Sequence, residues 1–139
     1  MATARHYTPE QNKMIQSEIQ KHEAAQAIEP STSEYASACH TVRKKDSTVR
    51  VVQDFRGLNA FLKSQSGCLG DIVTIMDKMG QATCFICLDL ASGFLQMTIR
   101  KEDRHLTAFR DAEAKLWQCV RCGFGLKIVP AAFASYVGG

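Results

Sequence analysis

The hydrophobic period of this chain changes at Gly80. Before it, Ile72, Ile75, Met76 and Met79 recur at helical spacing within 71–79, and Gly80 suits a left-handed C-terminal position. After it, Cys84-Phe85-Ile86-Cys87-Leu88-Asp89-Leu90 is an apolar run of strand length, broken by one carboxylate. A helix that hands over to a strand so abruptly implies an α+β chain, with helices packed on a sheet. The expectation is an antiparallel sheet holding the strands 84–90, 105–110 and 116–121, with the 71–79 helix against it.

The remaining punctuation fits that class. Thr8-Pro9-Glu10-Gln11 opens a helix: Thr8 can accept from an early backbone N–H, Pro9 needs no donor there, and Gln11 can close a capping box. Its apolar side is thin, so it is expected to be peripheral, to run to about residue 27 and to end before Pro30. Residues 36–42 and 49–55 read as a hairpin around Arg43-Lys44-Lys45-Asp46-Ser47-Thr48. Gly57-Leu58-Asn59-Ala60 leaves the second strand, and 62–70 is a Ser/Gly-rich loop. A further strand is expected at 95–99, a charged turn at 100–104, another turn at 111–115, and a core position at Trp117. Pro130 opens a last helix over 131–137 that is expected to stop within two turns. With 139 residues, the pattern suits one domain or a piece cut from something larger.

Composition excludes several classes. A hydrophobic content of 45% with 22% charged residues is not that of a disordered chain. No apolar run is long enough for a membrane helix, and the start lacks the apolar core of a secretory signal. An intracellular chain with reduced thiols is therefore expected. Lys and Arg number 17 against 14 Asp and Glu, and this net +3 permits nucleic-acid binding without requiring it.

The six cysteines include two C-x-x-C pairs, Cys84/Cys87 and Cys119/Cys122. Zinc needs both sulfurs of a pair on one tetrahedral centre, whereas residues three apart in a strand point to opposite faces. Ordinary thiols and no zinc are expected. The histidines, at 6, 22, 40 and 105, have no ligand spacing.

Two groups could carry chemistry. Asp89 interrupts an apolar strand, where burial is costly unless a metal, a base or hydrogen bonds satisfy it. It either binds metal or acts in catalysis, or it lies at an exposed strand end and caps the Ser92-Gly93 turn. Arg43, Lys44, Lys45, Arg50 and Arg56 outweigh Asp46 and Asp54. They form either a solvated hairpin tip or a phosphate grip. No aromatic residues interleave with them, so a base-stacking platform is not indicated.

The order of the pieces carries more than any one of them. The segment from Lys44 through Val49-Arg50-Val51-Val52-Gln53-Asp54-Phe55-Arg56-Gly57-Leu58-Asn59 resembles the fingers of reverse transcriptases from gypsy-type LTR retrotransposons. LDLASGFLQMTIRKEDRHLTAF, residues 88–109, resembles the palm segment with the first catalytic aspartate, and FGLKIVPAAF, residues 124–133, the segment under the nucleotide site. The likeness runs from about residue 10 to the end. It implies a right-hand polymerase fold, with fingers and a lead-in helix over about 10–83, palm strands over 84–122, and a link into a truncated palm helix over 123–139.

The same resemblance implies roles. Asp89 would be the first metal-binding carboxylate and Leu90 the residue beside it. Phe94 would be the steric gate beneath the sugar. Lys44, Lys45 and Arg50 would hold the triphosphate, and Phe124 and Gly125 would lie by the nucleotide and template. The implied chemistry is RNA-directed DNA synthesis from dNTPs on a template-primer with two Mg²⁺ or Mn²⁺ ions. The implied partners are the thumb and RNase H domains of a Pol polyprotein, in the cytoplasm or in retrotransposon particles.

The chain departs from the family at Cys87, at Gly123, at Lys127-Ile128-Val129 and at Ala134, and the usual aromatic-x-Asp-Asp hairpin does not follow. Two classes result: a reverse-transcriptase fragment inactive alone, or a non-catalytic nucleic-acid-binding or structural remnant.

Overall fold

The structure, a computed structural model, describes residues 6–46, 49–64, 71–87, 89–90, 93–123 and 125–138. Helix α1, Pro9–Ala24, starts as its sequence dictates. The Gln11 N–H donates to Thr8 Oγ1 at 3.2 Å, and the Thr8 N–H donates to Gln11 Oε1 at 2.9 Å. The helix is not peripheral, because Ile15 and Ile19 are fully enclosed in the core. It also ends early: Gln26 takes a left-handed φ of 55°, and Ile28–Pro30 becomes a short strand, β1. Pro30, at the end of an edge strand, removes no donor that the ladder needs.

The expected hairpin forms from β2, Ser37–Arg43, and β3, Val49–Gln53, paired from Cys39↔Gln53 to Arg43↔Val49. The second hairpin joins β4, Phe109–Arg110, to β5, Leu116–Cys119, with Phe109 opposite Trp117. Together they make a five-stranded sheet in the order β1-β5-β4-β2-β3. Its β2–β4 pairing is parallel, so the sheet is mixed rather than purely antiparallel. The α+β class expected from the sequence holds. The core, centred on Phe109, Cys39 and Trp117, lies between this sheet and α1.

Several elements differ from expectation. Residues 83–87 and 89–90 form no strand and are exposed, so the described part of the expected 84–90 strand does not join the sheet. A strand needs a partner segment for its ladder hydrogen bonds, and among the described residues none pairs with this run. Helix α3, Ile72–Gly80, forms as expected and Asp71 caps it, yet it buries no residue and does not pack on the sheet. Gly80 remains helical instead of turning left-handed. Residues 101–107 form a 3₁₀ helix, which shortens the expected 105–110 strand to two residues. Within 95–99 only the end runs beside the sheet, where the Ile99 N–H donates to the Val120 carbonyl at 2.8 Å. Helix α2, Arg56–Phe61, occupies part of a segment expected to be irregular, and α4, Val129–Gly138, begins earlier than Pro130 suggests.

The turn at 111–115 is as expected and has a buried carboxylate at its centre. Asp111 accepts from Trp117 Nε1, the Glu113 N–H and the Lys115 N–H, each at 2.9 Å. Removing that acceptor strands the indole donor inside the core. Asp111→Ala is expected to cost about 1–3 kcal/mol, measured as a lower urea midpoint at unchanged slope.

Candidate functional site

The basic hairpin presents Lys44 and Lys45 in exposed positions just beyond the end of β2. Arg50 follows on β3, opposite Val42 and also exposed. It borders a cavity of about 280 Å³ that Leu95, Arg121 and Gly123 line from the other side, with Glu18 and His22 of α1 below. Arg121 Nη1 donates to the Leu95 carbonyl at 3.2 Å, which fixes this second guanidinium in the wall.

Beyond β3 the chain turns into α2 through an ion pair. Arg56 Nε and Nη2 donate to the two carboxylate oxygens of Asp54 at 2.8 and 2.6 Å. These bonds hold the Asp54 carboxyl well below the usual carboxylate range. One turn on, Asn59 makes two long-range bonds. Its Nδ2 donates to the Gly125 carbonyl at 2.7 Å, and its Oδ1 accepts from the Lys127 N–H at 2.8 Å. Gly125 has φ +97°, and a Cβ there would sit 3.6 Å from Phe55 and 3.7 Å from the Gln53 carbonyl. Glycine is required for the backbone conformation more than for the space. His40, Gln53, Asp54, Phe55, Asn59 and Gly125 line an open cleft of about 500 Å³. His40 Nδ1 is buried there and meets no hydrogen-bond partner among the described residues.

A third element is the 3₁₀ turn Gly93–Gln96, which carries Phe94. Phe94 meets Phe133 of α4 edge-on, with ring centroids 5.3 Å apart. A Cβ on Gly93 would lie 2.8 Å from the Phe133 ring, so only glycine lets the turn and α4 approach this closely. Asp89 and Leu90 precede this turn and are exposed.

The residues expected from the sequence therefore fall into separate groups. Gly125 joins the end of β3, Arg50 lines the same cavity as Leu95, the residue after Phe94, and Lys44 and Lys45 stand at the hairpin tip. Phe124 lies outside the described residues. The sequence reading missed Asn59, Gly93 and the Asp54–Arg56 pair. Their only signal was their place inside the two conspicuous blocks, because each acts through a partner that spacing does not reveal.

A two-ion nucleotidyl-transfer centre needs several oxygen ligands. Asp89 offers one exposed carboxylate, and among the described residues no three His, Cys, Asp or Glu side chains converge. These residues alone do not fit such a centre. The strand geometry expected to separate Cys84 from Cys87 is also not present.

Residues 10–139 match the family model "Reverse transcriptase (RNA-dependent DNA polymerase)". The chain belongs to the reverse transcriptase family. It is 37% identical over 125 residues to the retrovirus-related Pol polyprotein from transposon 412 of Drosophila melanogaster, covering 86% of this chain and 10% of that protein. It is 31% identical to polyprotein P3 of Commelina yellow mottle virus, covering 93% of this chain and 7% of the viral protein. Among solved structures, a foamy viral protease-reverse transcriptase in complex with an RNA/DNA hybrid superposes with a TM-score of 0.77 at 24% identity. That match covers 96% of this chain and 18% of the foamy viral one. The chain thus corresponds to a segment of a reverse transcriptase, about a tenth of the length of the curated relatives. Among the described residues no helix is long and apolar enough to cross a membrane.

The Asp54–Arg56 pair yields a pH test. A carboxyl whose folded pKa is depressed contributes stability above its ordinary value, about 3.9, and loses it as pH falls through the lower folded value. The contribution is small because Arg56 is exposed. The Asp54 carboxyl shift is expected to titrate well below the ordinary midpoint, and Arg56→Gln is expected to return it to the ordinary range.

Proposed function

We propose that this segment forms the fingers, over about 10–83, and the first part of the palm, over about 84–139, of an RNA-directed DNA polymerase within a longer Pol polyprotein. Lys44, Lys45 and Arg50 neutralise the triphosphate of the incoming dNTP. Phe94 lies beneath its sugar, with Leu90 beside it, and Phe124 and Gly125 border nucleotide and template. Asp89 is one of several carboxylates for Mg²⁺ or Mn²⁺, the others coming from elsewhere in the longer protein with its thumb and RNase H domains.

The observation that carries this reading is the Asn59 clamp. It ties the Gly125–Lys127 backbone to the helix that follows β3, and so brings a glycine turn beside the strand that bears Arg50. A hydrogen-bonded floor next to exposed cations is what phosphate positioning requires. That foamy viral relatives have been solved with an RNA/DNA hybrid and with double-stranded DNA supports a duplex partner. Cytoplasmic or particle-associated assembly follows from this reading.

The isolated 139-residue chain is expected to extend no primer on an RNA template with Mg²⁺ or Mn²⁺. A form lengthened through an aromatic-x-Asp-Asp hairpin and thumb is expected to extend it and to lose that activity in Asp89→Asn. Activity that survives Asp89→Asn in the long form removes Asp89 from the mechanism.

Weak, sequence-independent duplex binding by the short chain is expected on this reading and on the non-catalytic one alike, because the hairpin cations are exposed in both. With about three phosphate contacts, counterion release lowers such affinity roughly 40-fold between about 50 and 200 mM salt. Fluorescence anisotropy measures that slope, which Lys44→Ala is expected to reduce by about 0.9.

A further inference from the structure

The five cysteines among the described residues differ sharply in burial, and Cys68 lies outside those residues. Cys39 and Cys119 are buried in the core, where desolvation pushes their thiols up to about 12 and about 11. Burial also raises the thiol of half-buried Cys122. The core burial of Cys39 and Cys119 shields their sulfurs from a solution oxidant and disfavours the thiolate that exchange requires. Cys84 and Cys87 are both free and both exposed. The segment 83–87 that carries them is neither helix nor strand. Among the described residues no backbone hydrogen bond ties it down, and its intervening Phe85 and Ile86 are 62% and 85% exposed. Nothing described has to break for this stretch to bend.

We propose that Cys84 and Cys87 form a reversible dithiol/disulfide site. The oxidant is a small-molecule disulfide of the glutathione class. One cysteine thiolate attacks a sulfur of the oxidant, forming a protein–glutathione bond and releasing one glutathione thiolate. The second cysteine thiolate attacks the protein sulfur of that mixed disulfide, closing the Cys84–Cys87 bond and releasing the second glutathione. The two protein thiols lose two electrons and two protons, and the oxidant becomes two glutathione thiols.

The bond has a conformational consequence. A disulfide requires Cα atoms within about 7 Å, whereas residues three apart in a strand are separated by about 10 Å, at roughly 3.3 Å each. The reduced segment can be drawn out into a strand and the oxidised one cannot. Asp89 follows Cys87 by two residues in the sequence, so oxidation withholds the extended conformation in which a sheet would carry that carboxylate. This last consequence rests on the polymerase reading, but the disulfide itself does not.

The test is chemical. The folded 139-residue chain is incubated with oxidised glutathione, alkylated after denaturation, digested with trypsin and weighed. The tryptic peptide 79–100 contains Cys84 and Cys87 and no other cysteine. It is expected to be two hydrogens lighter and unalkylated, to return to the dithiol mass with dithiothreitol, and to leave the Cys39 and Cys119 peptides alkylated. In Cys87→Ser the reaction is expected to stop at a glutathione adduct on Cys84. A peptide alkylated at both cysteines, one carrying two glutathiones, or oxidation spread equally over the buried cysteines overturns the proposal. Mass is read without any polymerase assay, so failure of the catalytic reading leaves this result standing.

Discussion

Within the sheet, the basic hairpin joins the other strands through two parallel residue pairs. Ser37↔Phe109 and Ala38↔Arg110 join β2 to β4, with the Ser37 N–H donating to the Ala108 carbonyl at 2.8 Å. Without this junction the sheet divides into a β2–β3 ribbon and a β4–β5–β1 ribbon, and an isolated two-stranded ribbon is marginal in water. The junction holds because Phe109 and Cys39, flanking it, are completely enclosed. Burial of these side chains orients the strand that leads into Lys44 and Lys45.

From that anchor the candidate site is built by polar contacts over long sequence separations. Asp54 bonds back to the Ala38 carbonyl through its N–H, its carboxylate grips Arg56, and α2 then presents Asn59 to the Gly125–Lys127 backbone. Each link satisfies a backbone or charged group that would otherwise have to be solvated. The result is a hydrogen-bonded floor beside cations that are exposed. A charge that remains in water is available to a phosphate at little desolvation cost.

The stretch from α3 to Leu90 has a different character. Ile72, Val73 and Met76 on α3, and Phe85 and Ile86 beyond it, are exposed apolar side chains. The amphipathic helix forms because Asp71 caps it and its spacing is regular, not because its apolar face finds a partner. The same openness leaves Cys84 and Cys87 accessible while the core thiols are sealed.

What the sequence determined by itself is what neighbours within a few residues control. The Thr8-Pro9-Glu10-Gln11 box set the start of α1, Asp71 and its helical period set α3, and the β-branched run at 49–53 set a strand. The family blocks around Asp54 and Asp89 were legible too, because identity and order need no coordinates. Tertiary structure alone decided whether a pattern found a partner. The 84–90 run has the better strand pattern, yet its described residues, 84–87 and 89–90, form no strand, while Ile28–Pro30 has almost no pattern and pairs with β5. Ladder hydrogen bonds come from a second segment distant in the chain, and a strand's own sequence cannot supply it. For the same reason Asn59 was invisible as a clamp: its partners lie 66 and 68 residues away, and only the folded sheet brings them within reach.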